Sequence, residues 1–392
     1  MPSIQPYSAP ARRHDVDALR VIAFGLLIIF HVGMFYVADW GWHIKSNYQF
    51  EWLQLPMLVL NQWRMSLIFL ISGLAVSFAW GKYHPGLFAL RRFSRLFVPL
   101  LFGMAVVVAP QNYYEALSNG AIQRGFVDFF STYLAGGEFP ANAYDDAETP
   151  MWTWNHLWYL PYLLGYTLVL IPFALFLRGP GIKVLENIRR VRGIWLILLP
   201  LVPLILYGNL IFPKFPYINH GLTDDWYAHA MYFTFFAYGF LIGNDDELWN
   251  QLRGMRKYTL PAAVISFASF YTLSIVLPEN SFSGHSQLAL VVIYLNRWLW
   301  IVALLGWGRH LLNKPFRWLP YATVAVYPWY ILHQTITVVA GYELSQLERG
   351  PIVEPILVLA STILGCLLLH EFVVRRSGVL RYLFGVPIAR RK

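Results

Sequence analysis

The chain has 392 residues, of which 57% are hydrophobic, 17% are aromatic and only 13% are charged. Soluble domains carry about 25% charged residues, so this composition excludes an ordinary soluble enzyme and indicates one integral-membrane domain over residues 1–392. The single cysteine, Cys366, excludes a disulfide framework and a thiolate metal cluster. We expect no bound metal and no permanently bound cofactor.

Ten apolar runs are long enough to cross a bilayer, whose core of about 30 Å needs about 20 residues of helix. The first run follows a polar, basic segment (1–16) and lacks a small-residue cleavage site, which indicates a retained helix. Basic, amphipathic pieces at 82–95 and 183–192 are expected to lie on the membrane surface. The prediction is an all-α polytopic membrane protein whose ten helices lie at about 17–38, 53–80, 96–114, 156–177, 194–212, 226–243, 258–277, 287–307, 320–340 and 354–373.

The basic residues predict the orientation of these helices. Of 30 Lys and Arg residues, 23 lie at the ends and in the loops on the same side as the N-terminus, and 4 lie in the opposite loops. By the positive-inside rule both termini, including the basic tail 374–392, are therefore cytoplasmic. This distribution accounts for the net charge of +9, so no nucleic-acid partner is expected.

The longest loop on the opposite side is residues 115–155, which is aromatic and mildly acidic. Trp152, Trp154 and Trp158 lie where this loop meets the next helix. One interpretation is an interfacial aromatic belt. The other is a set of rings on which the apolar faces of sugars stack.

The first run, "DVDALRVIAFGLLIIFH", carries Asp17 and Arg20 at one end and His31 inside. Arg20 and His31 are eleven residues apart, so they share a helix face about 16 Å apart, and Asp17 is placed to pair with Arg20. Desolvation favours a neutral imidazole, which can take a proton from a hydroxyl. The arginine suits phosphate recognition.

Other ionisable residues lie within the runs. Arg64 and Arg297 are near mid-depth with no acidic residue at that depth. Each either bonds helix-end carbonyls or faces a watery crevice, or it binds an anionic ligand, and the lack of an acidic partner favours the ligand. His333, in "YPWYILHQ", lies at a height similar to that of His31. A histidine in a membrane helix either forms an interhelical hydrogen bond or acts as a catalytic group. Two histidines at one height favour catalysis.

A second basic cluster is "ALRRFSRLFVP", with Arg91, Arg92 and Arg95. It either anchors the protein by the positive-inside rule or binds the phosphates of a nucleotide-like donor. Ser72 and Gly73 in "LISGLAVS" indicate close helix packing. A glycine-rich phosphate loop, a nucleophile elbow and a metalloprotease histidine pair are absent from the sequence.

These motifs together resemble the integral-membrane acyltransferase family 3. The resemblance is carried by Asp17-x-Leu19-Arg20 with His31, by "FLISG" (69–73), by Arg92-Phe-Ser-Arg95, by "HLWYL" (156–160) and by "YPWYILHQ" (327–334). The chain is most similar to the branch that modifies periplasmic glucans, which includes succinyltransferases.

The resemblance implies a bacterial inner-membrane enzyme that moves an acyl group, succinyl or acetyl, from cytoplasmic acyl-CoA to a hydroxyl of an extracytoplasmic carbohydrate. The implied site comprises three groups: His31, Arg20 and Asp17 as catalytic residues; Arg91, Arg92 and Arg95 for the donor; and Arg64, Arg297, His156, His333 and Trp158 as possible acyl or acceptor contacts.

Three alternatives stay open at this point. They are a transporter or flippase for an anionic glycan or lipid, a non-catalytic partner of a polysaccharide synthase, and an acyltransferase for a lipid or small-molecule acceptor. The sequence does not indicate the acyl group, the acceptor or the oligomeric state.

Overall fold

A computed structural model describes residues 12–144, 152–216, 218–243 and 245–386. Most of the predicted N-terminal segment 1–16, part of loop 115–155 and the end of the tail 374–392 lie outside these ranges. The α-helices of the described residues are α1 His14–Tyr36, α2 Gln54–Ala79, α3 Pro85–Phe102, α4 Ala109–Ser118, α5 Phe126–Ala135, α6 Tyr159–Arg178, α7 Ile182–Arg189, α8 Trp195–Leu210, α9 Trp226–Ile242, α10 Asp246–Tyr271, α11 His285–Leu311, α12 Leu319–Ser345, α13 Val353–Leu368 and α14 Gly378–Leu383.

Short turns extend several of these helices. Two 3₁₀ turns, Glu51–Leu53 and Asn155–Trp158, lead into α2 and α6. Three π-helical turns follow α3, α10 and α13, at Gly103–Val107, Thr272–Val276 and Leu369–Val374. With these turns, helical structure makes up most of each of the ten predicted runs, and the all-α prediction is confirmed for the described part of the chain.

Seven helices in the described ranges are long and apolar enough to cross a membrane. The runs at 194–212, 226–243 and 320–340 correspond to α8, α9 and α12. The first two of these helices have only 16 and 17 residues, and α12 carries polar residues such as His333 and Gln334. The count of ten spans and the cytoplasmic termini stay predictions. The seven candidates are His14–Tyr36, Glu51–Ala79, Pro85–Ser118, Asn155–Arg178, Asp246–Val276, His285–Leu311 and Val353–Val374.

Most of the basic stretch 82–95 is the first part of α3, which continues to Phe102. His84 precedes the helix, and its imidazole accepts a hydrogen bond from the backbone N–H of Gly86 (3.3 Å). Pro85 occupies the first helical position, where its fixed φ is favourable and a missing N–H costs nothing. The arginines of this stretch are therefore held on a continuous helix.

Two helix pairs determine where the site residues meet. In the first, α2 packs along α9 with the two backbones in direct contact. A Cβ on Gly73 would collide with the carbonyl oxygen of Phe236, and a Cβ on Gly239 with that of Leu70. Close packing at Gly73 was expected from the sequence. In the second pair, α1 packs on α12, which brings His31 to His333.

Candidate functional site

A cavity of about 440 Å³, which we call the histidine cavity, lies among α1, α2, α6, α9, α12 and the loop after α1. Its walls include His31 from α1, Arg64 from α2, His156 from the turn before α6, and Gln334 from α12. Of the predicted site residues, His31, Arg64, His156 and Trp158 thus line one space, whereas His333 does not line it and contacts His31. Arg297 is not among the lining residues.

The hydrogen bonds of His333 determine which nitrogen of His31 is free. Nδ1 of His333 lies 2.7 Å from the carbonyl oxygen of Tyr330 and 3.1 Å from that of Trp329. Carbonyl oxygens only accept, so this nitrogen carries the hydrogen, and neutral His333 offers Nε2 as an acceptor. Nε2 lies 2.8 Å from Nδ1 of His31, which must therefore donate.

It follows that the lone pair of neutral His31 is on Nε2. This nitrogen has no hydrogen-bond partner among the described residues, and its ring lines the cavity. The two rings are parallel within 3°, with centroids 5.0 Å apart. The acceptor nitrogen of neutral His31 is therefore the one left for the cavity, and the hydrogen bond to His333 determines its tautomer.

His156 is fully hydrogen-bonded within the protein. Its Nε2 donates to the carbonyl oxygen of Ile331 (3.1 Å), and its Nδ1 accepts from the amide of Gln111 (3.2 Å). Both ring nitrogens are used, so this histidine has a structural part in the wall rather than a free proton-transfer atom.

The two mid-depth arginines differ in their partners. Arg64 is buried, its Nε and Nη1 have no partner among the described residues, and its guanidinium lies 3.5 Å from the ring centroid of Phe30. Arg297 donates from Nε to the carbonyl oxygen of Gln62 (2.8 Å) and contacts the sulfur of Met231. Arg64 is thus the arginine that is free to bind an anion in the cavity.

Aromatic rings line much of the cavity, including those of Trp40, Trp42 and Trp158. Trp158 stacks on His220, with ring centroids 4.2 Å apart. Burial lowers the pKa of His220, which lies in the loop before α9, to about 4. Of the three tryptophans at the junction of loop 115–155 with the next helix, only Trp158 lines the cavity. The indole N–H groups of Trp152 and Trp154 donate to the carbonyls of Tyr133 and His220.

Sequence analysis missed a polar network that reaches the wall of the histidine cavity. His43, from the loop after α1, contacts the carboxylate of buried Glu115 through Nδ1. Its Nε2 lies 3.1 Å from Oδ1 of Asn155 and 3.2 Å from Nε2 of Gln334. Asn155 directly precedes His156, and Gln334 directly follows His333. Their position beside two motif histidines was the sequence signal that could have identified them.

A second cavity, of about 720 Å³, is lined by Arg91, Arg92 and Arg95 and is called the arginine cavity. Arg91 lies over the ring of Tyr83 (4.0 Å) and Arg92 over that of Phe88 (5.5 Å). Within the described part of the chain, none of the three forms a salt bridge. Three uncompensated guanidinium groups around one cavity can bind a polyphosphate.

Asp17 and Arg20 form the predicted ion pair, at 3.4 Å. They line a third cavity, of about 850 Å³, together with Lys82 and other charged residues. This cavity and the arginine cavity lie on adjacent sides of the end of α2, since Phe78 lines one and Ala79 the other. Arg20 is therefore close to the arginine cavity without lining it.

A layer of aromatic rings lies between the arginine end of the protein and the histidine cavity. Phe24, on α1 between Arg20 and His31, contacts Tyr159 and Tyr330, with ring centroids 6.3 and 5.4 Å away. The hydroxyl of Ser72 donates to the carbonyl of Ile68, so it accepts the hydrogen of Tyr159. Arg20 and His31 consequently line separate cavities.

The apolar helices and the buried polar cavity define a multi-pass membrane protein with an enzyme-like site. A family model described as an acyltransferase domain matches residues 13–371, so the chain belongs to acyltransferase family 3, a family of membrane acyltransferases. No curated protein and no solved structure gives a significant match to the chain. The predicted family is thereby confirmed, whereas the glucan-modifying branch stays a prediction.

Proposed function

We propose that the protein is an O-acyltransferase that moves an acyl group from cytoplasmic acyl-CoA to a hydroxyl of an extracytoplasmic carbohydrate. The observation that carries this proposal is the hydrogen-bond relay that leaves Nε2 of His31 free on the wall of the histidine cavity. A base held in one tautomer and facing a cavity is what deprotonation of an alcohol requires. The match to an acyltransferase family supports the reaction class.

The donor would bind with its phosphates at the arginine cavity, where Arg91, Arg92 and Arg95 supply positive charge without competing carboxylates. Arg20 lies beside this cavity, and its pairing with Asp17 holds it at that end of α1. The flexible acyl arm then points along α1 toward His31. It reaches the histidine cavity only when the rings of Phe24, Tyr159 and Tyr330 separate.

The acceptor would enter the histidine cavity from the opposite side. Indole rings of Trp40, Trp42 and Trp158 give apolar faces for sugar rings, and amides such as Asn61 give hydrogen bonds to hydroxyls. A periplasmic glucan or another envelope polysaccharide has this chemistry. This wall suits a lipid acceptor less well, because aliphatic side chains are fewer there than aromatic and polar ones.

The reaction is a direct transfer. Nε2 of His31 takes the proton of the acceptor hydroxyl while the hydroxyl oxygen attacks the thioester carbon. The C–S bond then breaks, the thiolate leaves with the electron pair, and it receives the proton from His31. During this cycle, Nδ1 of His31 donates to His333, which stabilises the imidazolium.

Arg64 indicates the kind of acyl group. A buried guanidinium with two unpartnered nitrogens is stabilised by an anion. A dicarboxylic acyl group such as succinyl brings a terminal carboxylate into the cavity beside Arg64, whereas acetyl does not. Succinyl is therefore the favoured group.

The test uses the purified full-length protein in detergent with radiolabelled succinyl-CoA or acetyl-CoA and β-glucan oligosaccharides. The proposal predicts label in the oligosaccharide fraction, confirmed as an ester by mass spectrometry, and greater kcat/KM with succinyl-CoA. The variant Arg64→Gln should lose about 10- to 150-fold in kcat/KM with succinyl-CoA and little with acetyl-CoA, as expected for one charge-assisted hydrogen-bond pair.

The outcome also separates the alternatives. An intact thioester after incubation would contradict acyl transfer and favour a transporter or a non-catalytic partner. Label recovered in added lipid extract instead of oligosaccharide would assign a different acceptor. Equal loss with both donors in Arg64→Gln would contradict the dicarboxylic assignment.

A further inference from the structure

The network around Asn155 has a fixed direction of hydrogen bonding. It begins at the carbonyl oxygen of Val107, which only accepts, so the hydroxyl of Thr335 donates to it (2.6 Å). Having used its hydrogen, that hydroxyl accepts from Nε2 of Gln111 (2.6 Å). The amide of Gln111 is thereby oriented, and its oxygen accepts from Nε2 of Gln334 (3.2 Å).

The same direction continues to Asn155. Because Nε2 of Gln334 is an amide N–H donor, the Asn155 atom 3.1 Å from it is the acceptor Oδ1. An independent branch agrees, since Nε2 of Gln111 also donates to Nδ1 of His156, whose Nε2 donates to a backbone carbonyl. The orientation of the Asn155 amide is therefore set by two backbone carbonyls, each four hydrogen bonds away along the network.

The imidazole of His43 contacts the same oxygen. Nε2 of His43 lies 3.1 Å from Oδ1 of Asn155, while Nδ1 of His43 contacts the carboxylate of Glu115. A buried carboxylate is costly unless it is paired. Nε2 of His43 also lies 3.2 Å from Nε2 of Gln334, but the two hydrogens of that amide are used by Oε1 of Gln111 and Oδ1 of Asn155. The contact of His43 with Asn155 is therefore a hydrogen bond that Nε2 of His43 donates to Oδ1.

The consequence is a pre-positioned donor on the cavity wall. With Oδ1 of Asn155 engaged twice, its Nδ2 has no partner among the described residues, although the side chain lines the same cavity as His31. The backbone of Asn155 is left-handed (φ 44°), a conformation that few non-glycine residues adopt. This backbone conformation and the two contacts of Oδ1 together fix the position of the Asn155 side chain.

We infer that Nδ2 of Asn155 donates the hydrogen bond that stabilises the oxyanion during acyl transfer. When the acceptor oxygen attacks the thioester carbon, the carbonyl π electrons move to the carbonyl oxygen, and this negative charge is held by the amide N–H. The charge returns as the C–S bond breaks. His43, Glu115 and Gln334 are positioning residues that act through Asn155. The inference rests on the proposed function.

The test compares kcat and KM of Asn155→Ala, Asn155→Asp and the wild type in the labelled-donor assay. Loss of one oxyanion donor lowers kcat by about 10²- to 10³-fold with little change in either KM. The aspartate keeps the size and the acceptor atom but not the donor, so it should be at least as impaired as alanine. A matched control is Asn209→Ala, an exposed asparagine at the end of α8 that should keep wild-type kcat.

The positioning residues are tested by non-additivity. Glu115→Gln should lower kcat by up to about tenfold in the wild type and cause no further fall in the Asn155→Ala background. Additive losses in the double variant would contradict the positioning part of the inference.

Each other outcome is also decisive. A raised acceptor KM with unchanged kcat in Asn155→Ala would make Asn155 a substrate contact and overturn the inference. Wild-type kcat in both Asn155 variants would overturn it as well, while leaving acyl transfer by the wild type intact. Absence of transfer by the wild type would instead refute the proposed function. Membrane level and melting temperature of each variant separate a catalytic loss from misfolding.

Discussion

Replacing His333 by phenylalanine removes the acceptor of the Nδ1 hydrogen of His31 while keeping a planar ring. In the proposed mechanism His31 becomes an imidazolium in the transition state, so the lost hydrogen bond would be one to a charged group. Such bonds contribute about 1.5–3 kcal/mol, and each 1.36 kcal/mol is a factor of ten in rate. We therefore expect His333→Phe to lower kcat by about 10- to 150-fold.

The matched variant is His333→Gln, whose amide oxygen can replace Nε2 as an acceptor. It should keep kcat within about fivefold of the wild type, since the net value of one neutral hydrogen bond is about 1 kcal/mol. The assay is transfer from labelled acyl-CoA, with the amount of folded protein in the membrane measured for each variant. Wild-type kcat in His333→Phe would refute the relay, and equal losses in both variants would assign His333 a packing role.

Two further predictions concern the other parts of the site. Replacing Arg91, Arg92 and Arg95 by glutamine should raise the donor KM by at least tenfold and leave the acceptor KM unchanged. In the wild type, the donor KM should rise steeply with salt concentration. An unchanged donor KM in the variant would contradict phosphate binding at this cavity. The pKa of His220 is about 4 in the folded protein against about 6.5 when unfolded. The unfolded chain therefore binds the proton first as pH falls below 6.5, and the folded state loses stability between pH 6.5 and 4. His220→Phe, which keeps the ring beside Trp158, should thus show a smaller fall in melting temperature from pH 7.5 to 5 than the wild type, and an equal fall would contradict the role of His220 burial.

The helices and the ion pair on α1 could be predicted from the sequence. Apolar runs of about 20 residues predict helices because the backbone must satisfy its own hydrogen bonds in lipid. Helical spacing likewise predicts the Asp17–Arg20 ion pair, and the structure contains it. The similar height of His31 and His333 also follows from counting residues along two helices, and the structure places the two rings in contact.

Interactions between distant segments could not be predicted in this way. His43 lies in an irregular loop and Glu115 near the end of a helix, so no periodicity relates them. The difference between Arg64 and Arg297 depends on which carbonyl lies opposite each guanidinium, and that is a property of packing between helices. The ring layer that separates Arg20 from His31 involves helices far apart in sequence for the same reason.

The base assigned to His31 is tested most directly by kcat of His31→Gln in the labelled-donor assay, beside His310→Ala, an exposed histidine at the end of α11. Glutamine retains a polar side chain but cannot take the hydroxyl proton, so kcat should fall by about 10²- to 10⁴-fold, whereas His310→Ala keeps the wild-type value. The donor KM should change little, because the phosphates are expected to bind at the arginine cavity. A His31→Gln protein that transfers the acyl group at the wild-type rate would contradict the account.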